Sequence, residues 1–464
     1  MNVLIAAGKL FFSCVYFFMK LGKPGRKVVF LSRQGDVPSV DYQMLAAALE
    51  AEGVKTEMYL QRQEKDAARF LGSAGGNLRM ILRQMKALAT ARVAVTDGYS
   101  IPVSILRHRK ALTVIQIWHA VGAIKKFGLQ TLPCMSDQER RRTAALKMHR
   151  GYDLFAAPSK RTAQFFAEAF GMTPDKALIT GTPYLDVLCS GAFGRKEEIL
   201  RAYPVLDGGA ADRFGRKRNV LYLPTYRPEH SARFGESTTE STNRQGTREA
   251  VRALAEALDS NRYNLIVRPH PLEGAAESGG GASAGLGAGE QSAGSDSGAS
   301  AGLGAGEQSA GPDDGASAGS GAGEQSAGPD DGASACPTAT GPNTGVGLGA
   351  GVFELPEFSA EELLSVADCV VTDYSSLALA AGLAGIPVYF FVYDIEAYRD
   401  SPGLNMDLEE LYGRYTARDA QALADMIDGA YDADYARAFT DEYIEVFDGA
   451  CTARLAAKII ESLQ

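Results

Sequence analysis

The 464-residue chain has one tryptophan, five histidines and six cysteines, and none of the cysteines forms a Cys-x-x-Cys pair. Cys14, Cys134, Cys189, Cys336, Cys369 and Cys451 are scattered over the whole length. That spacing excludes a zinc ribbon or a disulfide framework and suits a reducing compartment. No carboxylate cluster has metal-ligand spacing, so neither a protein-held metal nor another resident cofactor is expected. Net positive charge is missing too. With 47 Lys and Arg against 56 Asp and Glu, the formal charge is -9, which argues against a general nucleic-acid binder.

Acid is absent from one place in particular. Residues 1–34 hold no Asp or Glu but carry Lys9, Lys20, Lys23, Arg26, Lys27 and Arg33, as suits an end that meets an anionic surface. The apolar stretch Val3 to Met19 is shorter than the ~20 residues that span a bilayer, and Lys9 lies inside it. Residues 1–22 therefore read as an interfacial, membrane-associating segment, in preference to a span, a plain packed helix or a cleaved signal peptide.

What remains is ordinary globular composition, 45% hydrophobic and 22% charged, in a chain long enough for two domains. Short β-branched runs alternate with helical patterns: VVFLS at 28–32, TEMYL at 56–60, RVAVTD at 92–97, LTVIQIW at 112–118, YDLFAAPS at 152–159 and ALITG at 177–181. A polar, Gly-rich stretch at 207–218 reads as a hinge, after which VLYLPTY at 220–226, NLIVRPH at 264–270, CVVT at 369–372 and PVYFFV at 387–392 continue the alternation. Ser359 followed by Glu362 is a capping box. The expected fold is α/β, with two Rossmann-like, doubly wound domains at 23–212 and 213–464 facing a cleft. Residues 274–350 interrupt the second. GASAGLGAGEQSAGSDS at 281–297 recurs with small changes at 298–314 and 315–331, a period of 17 with almost no large apolar residue. Such a repeat cannot build a core and reads as a disordered surface insertion.

Chemistry-bearing residues follow the strands. They are Trp118-His119 with Gly122, Lys125, Lys126 and Gly128; Thr180-Gly181-Thr182-Pro183-Tyr184-Leu185-Asp186; Pro224-Thr225-Tyr226-Arg227; Arg268-Pro269-His270; and Thr372-Asp373-Tyr374-Ser375-Ser376. Taken singly each has a structural explanation, since a His after a strand is common and Asp373, Ser375 or Ser376 would serve as an N-cap. Together, in this order, they resemble the CDP-glycerol glycerophosphotransferase family, the primases and polymerases of teichoic acid and related polymers. PVYFFVYDIEAY at 387–398 adds to the likeness, which covers about residues 26–415 outside the insertion. Ala120 stands where many members have Gly, a departure that bears on the acceptor more than on the reaction.

The resemblance implies a glycosyltransferase-B-like fold and transfer of glycerol phosphate, or a related polyol phosphate, to an acceptor hydroxyl with release of CMP. The donor would be CDP-glycerol or CDP-ribitol and the acceptor a lipid-linked polyol phosphate or glycan, at the cytoplasmic face of a membrane. His119 would be the general base and His270 a donor to the pyrophosphate or to departing CMP. Arg227, Ser375 and Ser376 would hold the pyrophosphate, with Thr225 and Arg268 beside them, Asp373 orienting the turn, and Lys125 and Lys126 in support. Two alternatives are a nucleotide-sugar glycosyltransferase of the same fold and a non-enzymatic membrane-surface module. Replacing residues 278–348 with a short Gly-Ser linker is expected to leave CMP release within a few-fold of the parent. A loss on the order of 10²-fold in a folded variant would make the insertion part of the catalytic apparatus.

Overall fold

A computed structural model describes residues 2–62, 74–191, 194–207, 216–225, 240–269 and 351–464. Arg227, His270 and the repeat insertion 274–350 lie outside the described residues. The alternation folds into two six-stranded sheets in which every pairing is parallel. The first holds β1 (Lys27–Ser32), β2 (Lys55–Leu60), β3 (Val93–Thr96), β4 (Thr113–Gln116), β5 (Leu154–Ala157) and β6 (Ala177–Ile179). The second holds β7 (Arg218–Leu223), β8 (Tyr263–Val267), β9 (Val352–Glu354), β10 (Cys369–Thr372), β11 (Val388–Phe391) and β12 (Thr416–Ala417). Central strands such as Val93–Thr96 and Cys369–Thr372 are buried along their whole length, because helices cover both faces. The capping box reads as expected: Glu362 N–H donates to Ser359 Oγ at 3.1 Å, and Ser359 N–H donates to Glu362 Oε2 at 2.8 Å.

The strand orders, β2-β1-β3-β4-β5-β6 and β12-β11-β10-β7-β8-β9, each reverse direction once. The reversals fall between β1 and β3 and between β7 and β10. In doubly wound sheets a ligand crevice opens at that switch, beyond the carboxyl ends of the strands.

Residues 118–128 lock the two sheets together. Trp118, Ala123 and Phe127 pack in the core of the first domain, whereas Val121 and Ile124 pack among residues of the second. The backbone is stitched as well: Lys125 forms an antiparallel bridge with Leu404, and Lys126 N–H donates to Gly403 O at 2.9 Å. Asn405 and Met406 donate their N–H groups to Ile124 O at 2.8 and 3.1 Å. Gly122 is required here, since a Cβ would lie 2.3 Å from Leu379 Cδ1, and Leu379 is fully buried.

The N-terminal helix Asn2–Met19 is docked on the first domain along one side. Tyr16 is 1% exposed and its hydroxyl bonds His108 Nδ1 at 2.8 Å, while Phe12, Val15 and Met19 pack on the same core and Lys9 donates to Ala145 O. Its outer face carries Leu10, Phe11, Phe17 and Phe18, with Leu21 just beyond it, at 58–72% exposure. Among the described residues no helix is long and apolar enough to cross a membrane.

The chain also returns to where it began. Helix Cys451–Glu461 buries Leu455, Ala456 and Ile459 against Val28, Phe30 and Ile115 of the first sheet, so the C-terminus belongs spatially to the N-terminal half. Asp186 anchors that return, accepting from Cys451 N–H at 2.8 Å, Thr452 N–H at 2.8 Å and the Thr452 hydroxyl at 2.6 Å. Asp186→Ala removes these bonds from a helix start and is expected to destabilise the protein by about 1–3 kcal/mol. Denaturant unfolding and hydrogen exchange over 451–461 would register this. An unchanged midpoint would mean that the apolar face holds the helix unaided.

Candidate active site

The strand β4 ends at Gln116 because Trp118 takes a left-handed conformation, φ 52°, and turns the chain out of the sheet. Such a conformation costs on the order of 1–3 kcal/mol for a bulky residue. Packing offsets it: the Trp118 ring stacks on Phe127 at 4.5 Å, and Trp118 N–H donates to Gln116 Oε1 at 2.9 Å. The turn delivers His119 to the β1/β3 switch. His119 Nδ1 lies 2.8 Å from Asp97 O at the end of β3 and 3.1 Å from the side-chain amide of Gln34 just beyond β1. Asp97 O only accepts and the Gln34 Nε2–H only donates, so the two contacts ask for opposite states of Nδ1; with Nδ1–H on Asp97 O, Nε2 carries the lone pair that a general base needs. Behind them, burial depresses His149 to about 4, with the nearby His119 adding to the shift. His149 is therefore neutral near pH 7 and puts no second positive charge behind the base.

The second switch is organised by Asp373, which is fully buried. Its oxygens accept from Thr225 N–H at 2.9 and 3.1 Å, from the Thr225 hydroxyl, and from Tyr374 N–H at 2.7 Å. This carboxylate ties the end of β7 to the end of β10 and shapes the loop between them. It also commits the Thr225 hydroxyl proton, which cannot be given to a phosphate while that bond stands. Ser375 Oγ accepts from Leu377 N–H at 3.3 Å, and Ser376 stands at the N-cap position of helix Leu377–Leu383 without a side-chain capping bond. Arg268 directs Nε to Phe358 O at 2.8 Å and Nη1 to Pro269 O at 3.2 Å. Burial lowers its pKa, while the carboxylates of Glu361 and Glu357 pull the other way.

Between the two switches lies a narrow cleft. The first domain contributes Asp41, Trp118, His119, Thr182 and Tyr184 to it, and the second contributes Ser376 and Leu377. Two candidates read from the sequence, His119 and Ser376, thus face each other. Lys125 and Lys126 go to the interdomain seam instead, with Lys125 only 8% exposed. Asp41, Asp97 and Gln34 were not singled out from the sequence, whereas Tyr184 lay in the Thr180–Asp186 cluster. All of them stand just beyond strand ends or in a helix's first turn, the positions that α/β topology directs at a crevice. Burial raises the Asp97 carboxyl to about 7 and Asp41 to about 6, although Asp41 accepts from Tyr184 N–H at 2.8 Å. Among the described residues no group of three or more His, Cys, Asp or Glu could hold a metal ion.

The same chain segments match known proteins. The family model described as CDP-Glycerol:Poly(glycerophosphate) glycerophosphotransferase matches residues 15–281 and 352–461. The teichoic acid glycerol-phosphate primase of Bacillus subtilis (strain 168) is 21% identical over 98% of this chain and 96% of its own length. The teichoic acid ribitol-phosphate primase of Bacillus spizizenii is 23% identical over 80% of this chain and 75% of its own. The structure of the wall teichoic acid polymerase TagF superposes with a TM-score of 0.58 at 16% identity, over 99% of this chain and 95% of that one, and so shares the paired-domain fold. With the family model matching most of the chain, cleft-forming segments included, this protein belongs to the CDP-glycerol:poly(glycerophosphate) glycerophosphotransferase family.

Proposed function

We propose that the cleft transfers a polyol phosphate from CDP-glycerol or CDP-ribitol to a terminal hydroxyl of a lipid-linked, teichoic-acid-like acceptor. One observation carries this reading: His119, held through Nδ1 beside Asp97 O, lines a single cleft together with Ser376 of the β10 loop. The acceptor oxygen attacks the phosphorus that bears the polyol, forming one P–O bond. The P–O bond to CMP breaks, the electron pair leaves on CMP, and the acceptor proton passes to His119 Nε2. Such a transfer asks little covalent chemistry of the protein, so positioning and charge stabilisation dominate. Ser375 and Ser376 hold the pyrophosphate together with Arg227 and Arg268, and His270 protonates or hydrogen-bonds departing CMP. Asp373 keeps that loop in shape through Thr225.

The membrane side of the reading rests on the N-terminal helix. Five large apolar side chains are exposed in this segment, and Lys20, Lys23, Arg26, Arg107 and Lys110 lie on it or on the segment packed beside it. An apolar stripe rimmed by cations suits insertion to headgroup depth in an anionic bilayer. The buried Tyr16 makes this helix a wall of the first domain, so point changes on its outer face test the idea better than deletion of residues 2–22.

With CDP-glycerol and a soluble acceptor analogue, His119→Ala is expected to lower CMP release by ~10²-fold or more without unfolding the protein. Near-normal turnover in a folded variant would remove His119 from the mechanism, and turnover of a UDP-sugar instead of either CDP-polyol would overturn the donor. Replacing Phe11, Phe17 and Phe18 together by Ser should release the protein from anionic vesicles in sedimentation, with CMP release to the soluble acceptor retained. Continued vesicle binding would place the anchor on another surface.

A further inference from the structure

Tyr184 and Asp41 line the cleft beside His119, and the transfer chemistry so far uses neither. The Tyr184 hydroxyl is a buried atom without a hydrogen-bond partner among the described residues. An unmet buried hydroxyl is destabilising, and phenylalanine would fill the same space without that cost. The Tyr184 N–H is held by Asp41 Oδ1 at 2.8 Å, a bond that makes no use of the phenol.

We propose that the Tyr184 hydroxyl and the Asp41 carboxylate form the recognition site for the polyol, binding the hydroxyl next to the one that reacts. The chemistry of the pair selects the ligand. Asp41 only accepts when ionised, and its charge repels a phosphate brought close, so a neutral hydroxyl is the fitting partner. Burial, then the charges of Glu361 and Asp41, hold the Tyr184 hydroxyl firmly protonated, which keeps it a donor. A secondary alcohol both donates and accepts, and so can bond Asp41 and Tyr184 at once. With the neighbouring primary hydroxyl on His119 Nε2, a vicinal diol is bound by both of its oxygens. Trp118, Val121 and Leu377, which share the cleft, offer apolar surface to the carbon chain. This inference rests on the polyol-phosphate transfer proposed above, and it deepens that reading by naming what reads the polyol.

Only the acceptor places a reacting hydroxyl on His119, so an acceptor arm tests the site and a donor arm is its control. In the donor arm, CDP-glycerol is compared with CDP-propane-1,3-diol at a fixed acceptor. In the acceptor arm, a glycerol phosphate acceptor is compared with its analogue lacking the secondary hydroxyl at a fixed donor. In the wild type the missing hydroxyl should lower kcat/KM by about 10–100-fold in the acceptor arm, because buried polar groups are left unpaired. Tyr184→Phe should shrink that penalty to within about 3-fold, leave turnover of the deoxy substrate near wild type, and not lower thermal stability. Asp41→Asn, which keeps an oxygen for Tyr184 N–H, should also reduce the penalty. An undiminished penalty in both variants, or no penalty in either arm for the wild type, would overturn the proposal. A penalty confined to the donor arm would also overturn the proposal. A wild type that releases no CMP from CDP-glycerol or CDP-ribitol would overturn the transfer reading and this one with it, and would be recognised by the inert parent.

Discussion

Much of this architecture depends on the contact between Gly122 and Leu379. The two sheets could pack in many relative orientations, since each has its own core and its own switch. What selects one is a loop whose side chains alternate between two interiors, Val121 and Ile124 on one side, Ala123 and Phe127 on the other. The loop can lie flat against helix Leu377–Leu383 only because residue 122 lacks a Cβ. That helix begins at Ser376 and that loop begins at His119. The same few ångströms of close approach therefore set both the domain orientation and the width of the cleft. Close-packed interiors do not deform continuously, so a change at the seam would be transmitted to the distance between His119 and Ser376.

Much of this was legible from strand ends. Parallel sheets buried on both faces read as β-branched runs, and residues after such runs project into the crevice, so His119, Thr225, Arg268, Asp373 and Ser376 could be picked out before any fold was known. β9 and β12 could not, because three and two residues carry no period and their pairing is supplied by neighbouring backbone. The return of Cys451–Glu461 to the first sheet was equally hidden. An amphipathic helix states that it has a partner but not which one. Here the choice is made by Asp186, whose place in a Thr-Gly-x-Pro-x-x-Asp segment gave no sign that its oxygens serve a helix start far along the chain.

Lys125 and Lys126 show the opposite case. Two adjacent lysines behind a Trp-His pair read from the sequence as supporting residues, and in the fold their backbone bridges to Leu404 and Gly403. Their main chain is an interface whatever their side chains do, and side-chain chemistry alone does not reveal that.

The polar groups at the two switches are satisfied to different degrees. In the second domain Asp373 gathers Thr225 and Tyr374 into a saturated network, so the loop that would meet the donor phosphates is set before a ligand arrives. In the first domain the Tyr184 hydroxyl and Asp97 Oδ1 are buried without a hydrogen-bond partner among the described residues, and two carboxyls have been pushed up to about 6 and 7. Fixed dipoles suit a charged group of constant shape, such as a pyrophosphate, because they need not reorganise during transfer. Unmet hydrogen-bonding capacity suits a neutral polyol, whose hydroxyls can satisfy it and whose absence leaves it unmet. On the proposed reading the asymmetry divides the labour along the cleft, charge falling to the preorganised side and hydroxyl identity to the side that stays incomplete until a polyol fills it.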